Sequence, residues 1–172
     1  MTIPADTKDW TWVLERRCRE CDVDARSFGL RDVPAALRGS IVRWRPVLDR
    51  ADVRDRPNAD TWSPLEYAAH VRDVFGVFEG RLERMVAEED PEFENWDQDA
   101  AAVAGRYSEL DPHTVADELA AAGEHLARVL EAVPESAVDR PGRRSNGSVF
   151  TVLTLARYLL HDDLHHLHDV RA

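Results

Sequence analysis

Apolar residues recur along this chain at helical spacing. In residues 34–50, Leu37, Ile41, Trp44 and Leu48 follow one another at steps of four, three and four, which is one face of an amphipathic helix. Pro34 suits its first turn, and Pro46 removes a hydrogen bond near its end. The polar stretch 51–60 precedes a second start signal: Ser63 as N-cap, Pro64 at the first helical position and Glu66 completing a capping box. That helix is predicted to run to about Glu89, with Val74, Phe78, Leu82 and Met85 inward. Residues 88–99 hold seven acids and no base, and Pro91 interrupts them, so loop is expected there with a short helical piece across 100–104. A third helix starts at Asp111-Pro112, carries Val115, Leu119, Leu126 and Leu130 inward, and stops at Pro134. The turn-rich run 141–148 leads into a last helix over 149–170. No convincing pair of alternating strands is visible. Four long amphipathic helices predict an all-α four-helix bundle. Residues 1–33 show no clear periodicity and are expected to form an N-terminal extension packed on a bundle domain of 34–172.

Composition narrows the function. The 172 residues include 22 basic and 33 acidic side chains, a formal charge of −11 that repels phosphate backbones and argues against nucleic acid as a partner. No run of 18 apolar residues offers a membrane span, and residues 1–12 lack the basic and apolar regions of a secretory signal. A cytoplasmic protein acting on a small molecule is the expectation.

The chemistry points to histidine. Four of seven histidines crowd the end of the last helix: His161, His165, His166 and His168. On a helix turning about 100° per residue, His161 and His165 share a face, so both imidazoles can reach one ion, whereas His166 points well away. His70 lies one turn before Val74 on the inward stripe of the second helix and supplies a third imidazole. If His70, at the beginning of its helix, shares an ion with His161 and His165, at the end of theirs, those two helices run antiparallel. The connection 90–112 must then cross the bundle lengthwise, bringing Tyr107–His113 to the metal end and the acidic run 88–99 beside Arg140, Arg143 and Arg144.

The segments WSPLEYAAHVRDV and NGSVFTVLTLARYLLHDDLHHLHDV, with the aromatic-acidic stretch between them, resemble the DinB family. The resemblance covers residues 34–170 and is strongest at His70, His161 and His165, which match the family's metal-binding histidines. It implies a four-helix bundle with a long crossover between its second and third helices. It further implies a metal-dependent enzyme of the kind that includes mycothiol-dependent maleylpyruvate isomerases, using mycothiol or another small thiol, and pairing of the chain into a homodimer. A metal-dependent hydrolase and a non-catalytic, metal-stabilised binding protein are the alternatives. Zinc is the first choice for three imidazoles, and nickel, iron and manganese also suit the ligand type.

Other residues are secondary candidates. Asp73, one turn after His70, is the favoured partner for an imidazole N–H, ahead of Asp162 and Asp169. Arg157 and Tyr158 lie one turn below His161 and can meet a substrate, while Trp62 and Trp96 can wall a pocket. Cys18-Arg-Glu-Cys21 has no second cysteine pair and no βαβ context, so packing or a local turn is expected, with a zinc half-site and a reversible disulfide open.

Overall fold

The computed structural model describes residues 9–172. Five helices dominate: α1 (Val33–Leu48), α2 (Pro64–Ala87), α3 (Gln98–Ala104), α4 (Pro112–Ala132) and α5 (Val152–Asp169). Their starts follow the capping rules. Ser63 accepts from the Glu66 amide while Glu66 reaches back to Ser63, Asp111 accepts from the Thr114 amide, and Thr151 and Thr154 cap α5 reciprocally. Each such cap is worth about 0.5–2 kcal/mol. Pro46 lies inside α1, which ends two residues later at Leu48.

α4 packs along both α1 and α2, and α5 packs along the same two helices. Trp44, Phe75, Leu82, Leu126 and Phe150 are among the fully buried side chains between them. Gly123 sets how closely α4 approaches: a β-carbon there would lie 2.6 Å from Ile41 Cδ1 and 2.9 Å from Phe75 Cε2. Small residues at such a contact let neighbouring helix backbones come together without displacing the core. No helix among the described residues is long and apolar enough to cross a membrane.

The all-α expectation is corrected by a small sheet. β1 (Glu92–Phe93) pairs parallel with β2 (Pro141–Arg144), which pairs antiparallel with β3 (Val149–Thr151). The β2–β3 hairpin closes through Arg144 N–H to Ser148 O at 2.8 Å, and Gly147 takes the positive φ of 92° that its turn requires. Residues 149–151, expected as the first turn of the last helix, are therefore strand. The expected meeting of acidic run and arginines is present here: Arg143 pairs with Asp90, and Arg140 Nη2 donates to Glu88 O.

The α2–α4 connection keeps contact with α2. Arg84 Nη1 donates to Glu92 O at 2.9 Å, Trp96 stacks on His70, and the Tyr107 hydroxyl donates to Asp73. Residues 11–14 and 25–28 lie against α5, where Arg157 Nε donates to Phe28 O at 2.8 Å and Nη2 to Arg26 O at 3.1 Å.

Candidate metal centres

The end of α5 carries two i, i+4 pairs offset by a single residue: His161 with His165, and Asp162 with His166. An offset of one residue is a rotation of about 100°, so the pairs face different neighbours. Between them Asp163 is fully buried and accepts from Trp44 Nε1 at 2.9 Å, which fixes the rotation of α5 against α1. Burial pushes the Asp163 carboxyl up to about 6.

Asp162 and His166 face α2. His70 sits in the second turn of that helix, at a depth set by the Ser63–Glu66 cap, and is 1% exposed. Asp162 Oδ2 lies 3.8 Å from His70 Nε2 and 3.7 Å from His166 Nε2. These separations are too long for hydrogen bonds. Asp162 Oδ2 and His70 Nδ1 are nonetheless buried with no hydrogen-bond partner, a costly state for polar atoms. His166 Nδ1 lies 3.0 Å from Asp169 Oδ2, which orients the ring as an outer carboxylate orients a ligating imidazole. Trp62 and Trp96 flank His70 with ring centroids at 5.1 and 5.4 Å, and Tyr67 lies 5.0 Å from His166.

The electrostatics suit a cation. Burial lowers His70 below the ordinary imidazole range, leaving it neutral and able to ligate. Burial alone would raise Asp162, but the facing imidazoles of His166 and His70 hold it down to about 2. His166 is opposed by burial and raised by Asp162 and Asp169. Together His70, Asp162 and His166 present one ligand atom each, all within 4.8 Å of one another. Two imidazoles and a carboxylate leave coordination positions free, the pattern of catalytic sites.

His161 and His165 face the N-terminal segment. Cys21 Sγ lies 3.6 Å from His161 Nε2, and Cys18 Sγ lies 3.7 Å from His165 Nδ1. These four ligand atoms also fall within 4.8 Å of one another. Trp10 covers them, its ring 5.0 Å from that of His165 and 6.0 Å from that of His161. Burial, then the neighbouring His165, pushes His161 down to about 4, and burial lowers His165 as well.

The three histidines expected to share an ion are thus divided. His161 and His165 are together, with two cysteines, while His70 is grouped with Asp162 and with His166, the residue expected to point away. Asp73 is occupied by the Tyr107 hydroxyl and Arg72 Nε. Arg157 donates to the backbone carbonyls of Arg26 and Phe28. Tyr158 packs between Phe78 and Phe150, with the Arg144 guanidinium 5.3 Å from its ring centre. Trp62 and Trp96 do line the His70 side. His168 is exposed. Asp162, His166, Cys18 and Cys21 were outside the expected ligand set, although Asp162 and His166 have the same helical spacing as His161 and His165.

Comparison with known proteins supports the fold. A solved structure, YfiT from Bacillus subtilis, superposes with a TM-score of 0.64 at 18% identity, covering 81% of this chain and 78% of that one. YfiT is described as a probable metal-dependent hydrolase with an unusual four-helix bundle topology. No curated protein matches the sequence. The family model of the DinB superfamily matches residues 36–170, which spans all four long helices but for the start of α1, together with both faces of α5. The chain belongs to the DinB superfamily.

Proposed function

We propose that this protein is a divalent-metal-dependent enzyme acting on a small molecule, with His70, Asp162 and His166 as the ligands. The observation that carries the reading is Asp162 Oδ2, a buried carboxylate oxygen with no hydrogen-bond partner placed between two imidazole nitrogens at 3.7 and 3.8 Å. A cation satisfies all three groups, where a proton satisfies one pair at most. What such an ion supplies when bound is a lowered pKa for a small nucleophile, a thiol or a water.

The chain's own residues would do the rest. Asp169 holds the His166 ring through Nδ1, and Trp62, Trp96 and Tyr67 exclude water and offer flat apolar faces to a substrate. One turn before Asp162, Tyr158 meets Arg144, which lies over the Phe150 and Tyr158 rings. Neither Arg144 nor the buried Arg81 forms an ion pair with a carboxylate among the described residues, and Arg144 Nε has no hydrogen-bond partner. Two guanidiniums, with Asp9 as the carboxylate whose charge Arg144 feels, suit an anionic group on the substrate.

Thiol-dependent transfer or isomerisation, with mycothiol as the first cofactor to try, is the reaction class that the DinB resemblance implies. Hydrolysis is the second reading, and the description of YfiT favours it. Zinc is the first metal to load, followed by nickel, iron and manganese. The test is calorimetry of the metal-loaded chain against mycothiol, bacillithiol and glutathione, paired with a hydrolase panel of esters and amides bearing carboxylates. Heat with a thiol, lost in His166→Ala, supports transfer; turnover of a carboxylated ester without thiol supports hydrolysis. Retention of full metal content by a chain carrying both His70→Ala and Cys21→Ser would defeat the ligand assignment.

A further inference from the structure

The second cluster has the make-up of a closed zinc site. We infer that Cys18, Cys21, His161 and His165 bind a structural zinc ion that pins the N-terminal segment to the end of α5, separate from the centre proposed above. The two stretches supply Cys-x2-Cys and His-x3-His, the ligand spacings found in Cys2His2 sites. Each spacing is weak alone, and about 140 residues separate the two pairs, but the fold brings all four ligand atoms within 4.8 Å of one another.

Distances fit the ion. Zinc bonds of about 2.3 Å to sulfur and about 2.0–2.1 Å to nitrogen, at a tetrahedral angle, put sulfur about 3.6 Å from nitrogen. The cross-pairs measure 3.6 Å for Cys21 with His161 and 3.7 Å for Cys18 with His165. Local backbone supports the cysteines. Cys18 N–H donates to Val23 O at 2.8 Å and Asp22 takes a positive φ of 62°, which turns the chain tightly between the two cysteines and Val23. His165 Nε2, the nitrogen away from Cys18, has Glu20 Oε2 at 3.6 Å and Asp169 Oδ1 at 3.7 Å, beyond hydrogen-bond length but close enough for their charge to favour a cation on the ring's other nitrogen.

Four protein ligands fill a tetrahedron, so this ion has a structural role and no position for substrate. Its anchorage matters to the other centre because His161 adjoins Asp162 and His165 adjoins His166 in sequence. Fixing one pair fixes the helical turns that carry the other.

The test uses the full chain, purified under reducing conditions and loaded with zinc or with cobalt as its spectroscopic substitute. X-ray absorption at the zinc edge is expected to show sulfur neighbours at about 2.3 Å. The cobalt form is expected to show a thiolate charge-transfer band and intense tetrahedral d–d bands. Cys21→Ser loses that band and about one of two metal equivalents, Cys21→His recovers the equivalent, and His166→Ala keeps the band. On the unmodified chain, zinc slows alkylation of both cysteines by at least about tenfold, and a chelator reverses it. Zinc bound with nitrogen and oxygen neighbours only, or cysteines alkylated equally fast with and without zinc, would overturn the inference. So would a Cys18–Cys21 disulfide that persists in the zinc-loaded, reduced preparation.

Discussion

One helix end serves two clusters, and their surroundings differ in kind. On the side facing residues 9–32, two imidazoles meet two thiols beneath Trp10, four ligand atoms where a tetrahedral ion would need four. On the side facing α2, two imidazoles and one carboxylate meet beneath Trp62 and Trp96, with fewer ligands and an orphaned oxygen among them. Ligand count separates a site that holds structure from a site that leaves room for chemistry. The difference arises from a one-residue offset along α5, which aims otherwise equivalent i, i+4 pairs at two different partners.

The sharpest way to break this comparison is His166→Ala. It removes a ligand from the α2-facing cluster and leaves all four groups of the other. Metal affinity at the first site is expected to fall by more than about 100-fold, with activity lost, since even outer partners cost about 10–100-fold. The cobalt–thiolate spectrum stays unchanged. A collapse of that spectrum in His166→Ala would mean that the two clusters are one site. Asp169→Asn is the gentler probe. Asp169 lies 3.0 Å from His166 Nδ1 but 3.7 Å from His165 Nε2, so metal affinity should drop about 10–100-fold on the α2 side and much less on the cysteine side. Competition titrations with a chelator read both affinities in one sample.

The helices were legible because each long segment has a continuous 3.6-residue stripe and a recognisable cap, as at Ser63-Pro64-Leu65-Glu66. The sheet was not, because strands of two to four residues such as Pro141–Arg144 are too short to show alternation. Within the candidate sites, the inward position of His70 followed from Val74 and Phe78 on the same stripe. The aim of α5 did not follow from its pattern. At this end of α5 polar residues are buried beside apolar ones, His161, Asp163 and His165 with Leu159, Leu160 and Leu167, so polarity does not mark which side faces inward. That rotation is set by Asp163 against Trp44, a contact 119 positions apart. The cysteine pair was illegible for a related reason: its partners lie at the other end of the chain, and residues 1–33 have no periodicity to place them.

The shared support gives a third prediction. Trp44→Phe deletes the donor to Asp163 and leaves a buried carboxylate short of a partner, which is expected to cost about 1–3 kcal/mol in urea unfolding. Because Asp163 lies between the two pairs, both metal affinities should weaken together. A change confined to one cluster would show that the helix end is held by that cluster's own ligands.

The smallest expected effect is confined to the α2 side and depends on pH. Burial would raise the Glu66 carboxyl, but Arg56 and the Ser63 amide and hydroxyl outweigh it and hold its pKa below the usual value of 4.5. A carboxylate depressed in the folded state adds stability above its unfolded pKa and loses it as pH falls through the folded one. Glu66→Gln is therefore expected to lower stability by about 1–2 kcal/mol at neutral pH, with the gap to the parent chain closing as the pH falls below about 4. Since Glu66 caps the helix that positions His70, the substitution should loosen metal at His70, Asp162 and His166 slightly and leave the cysteine cluster untouched. Equal loosening of both would mean that α2 supports the molecule as a whole and has no special hold on the site that it faces.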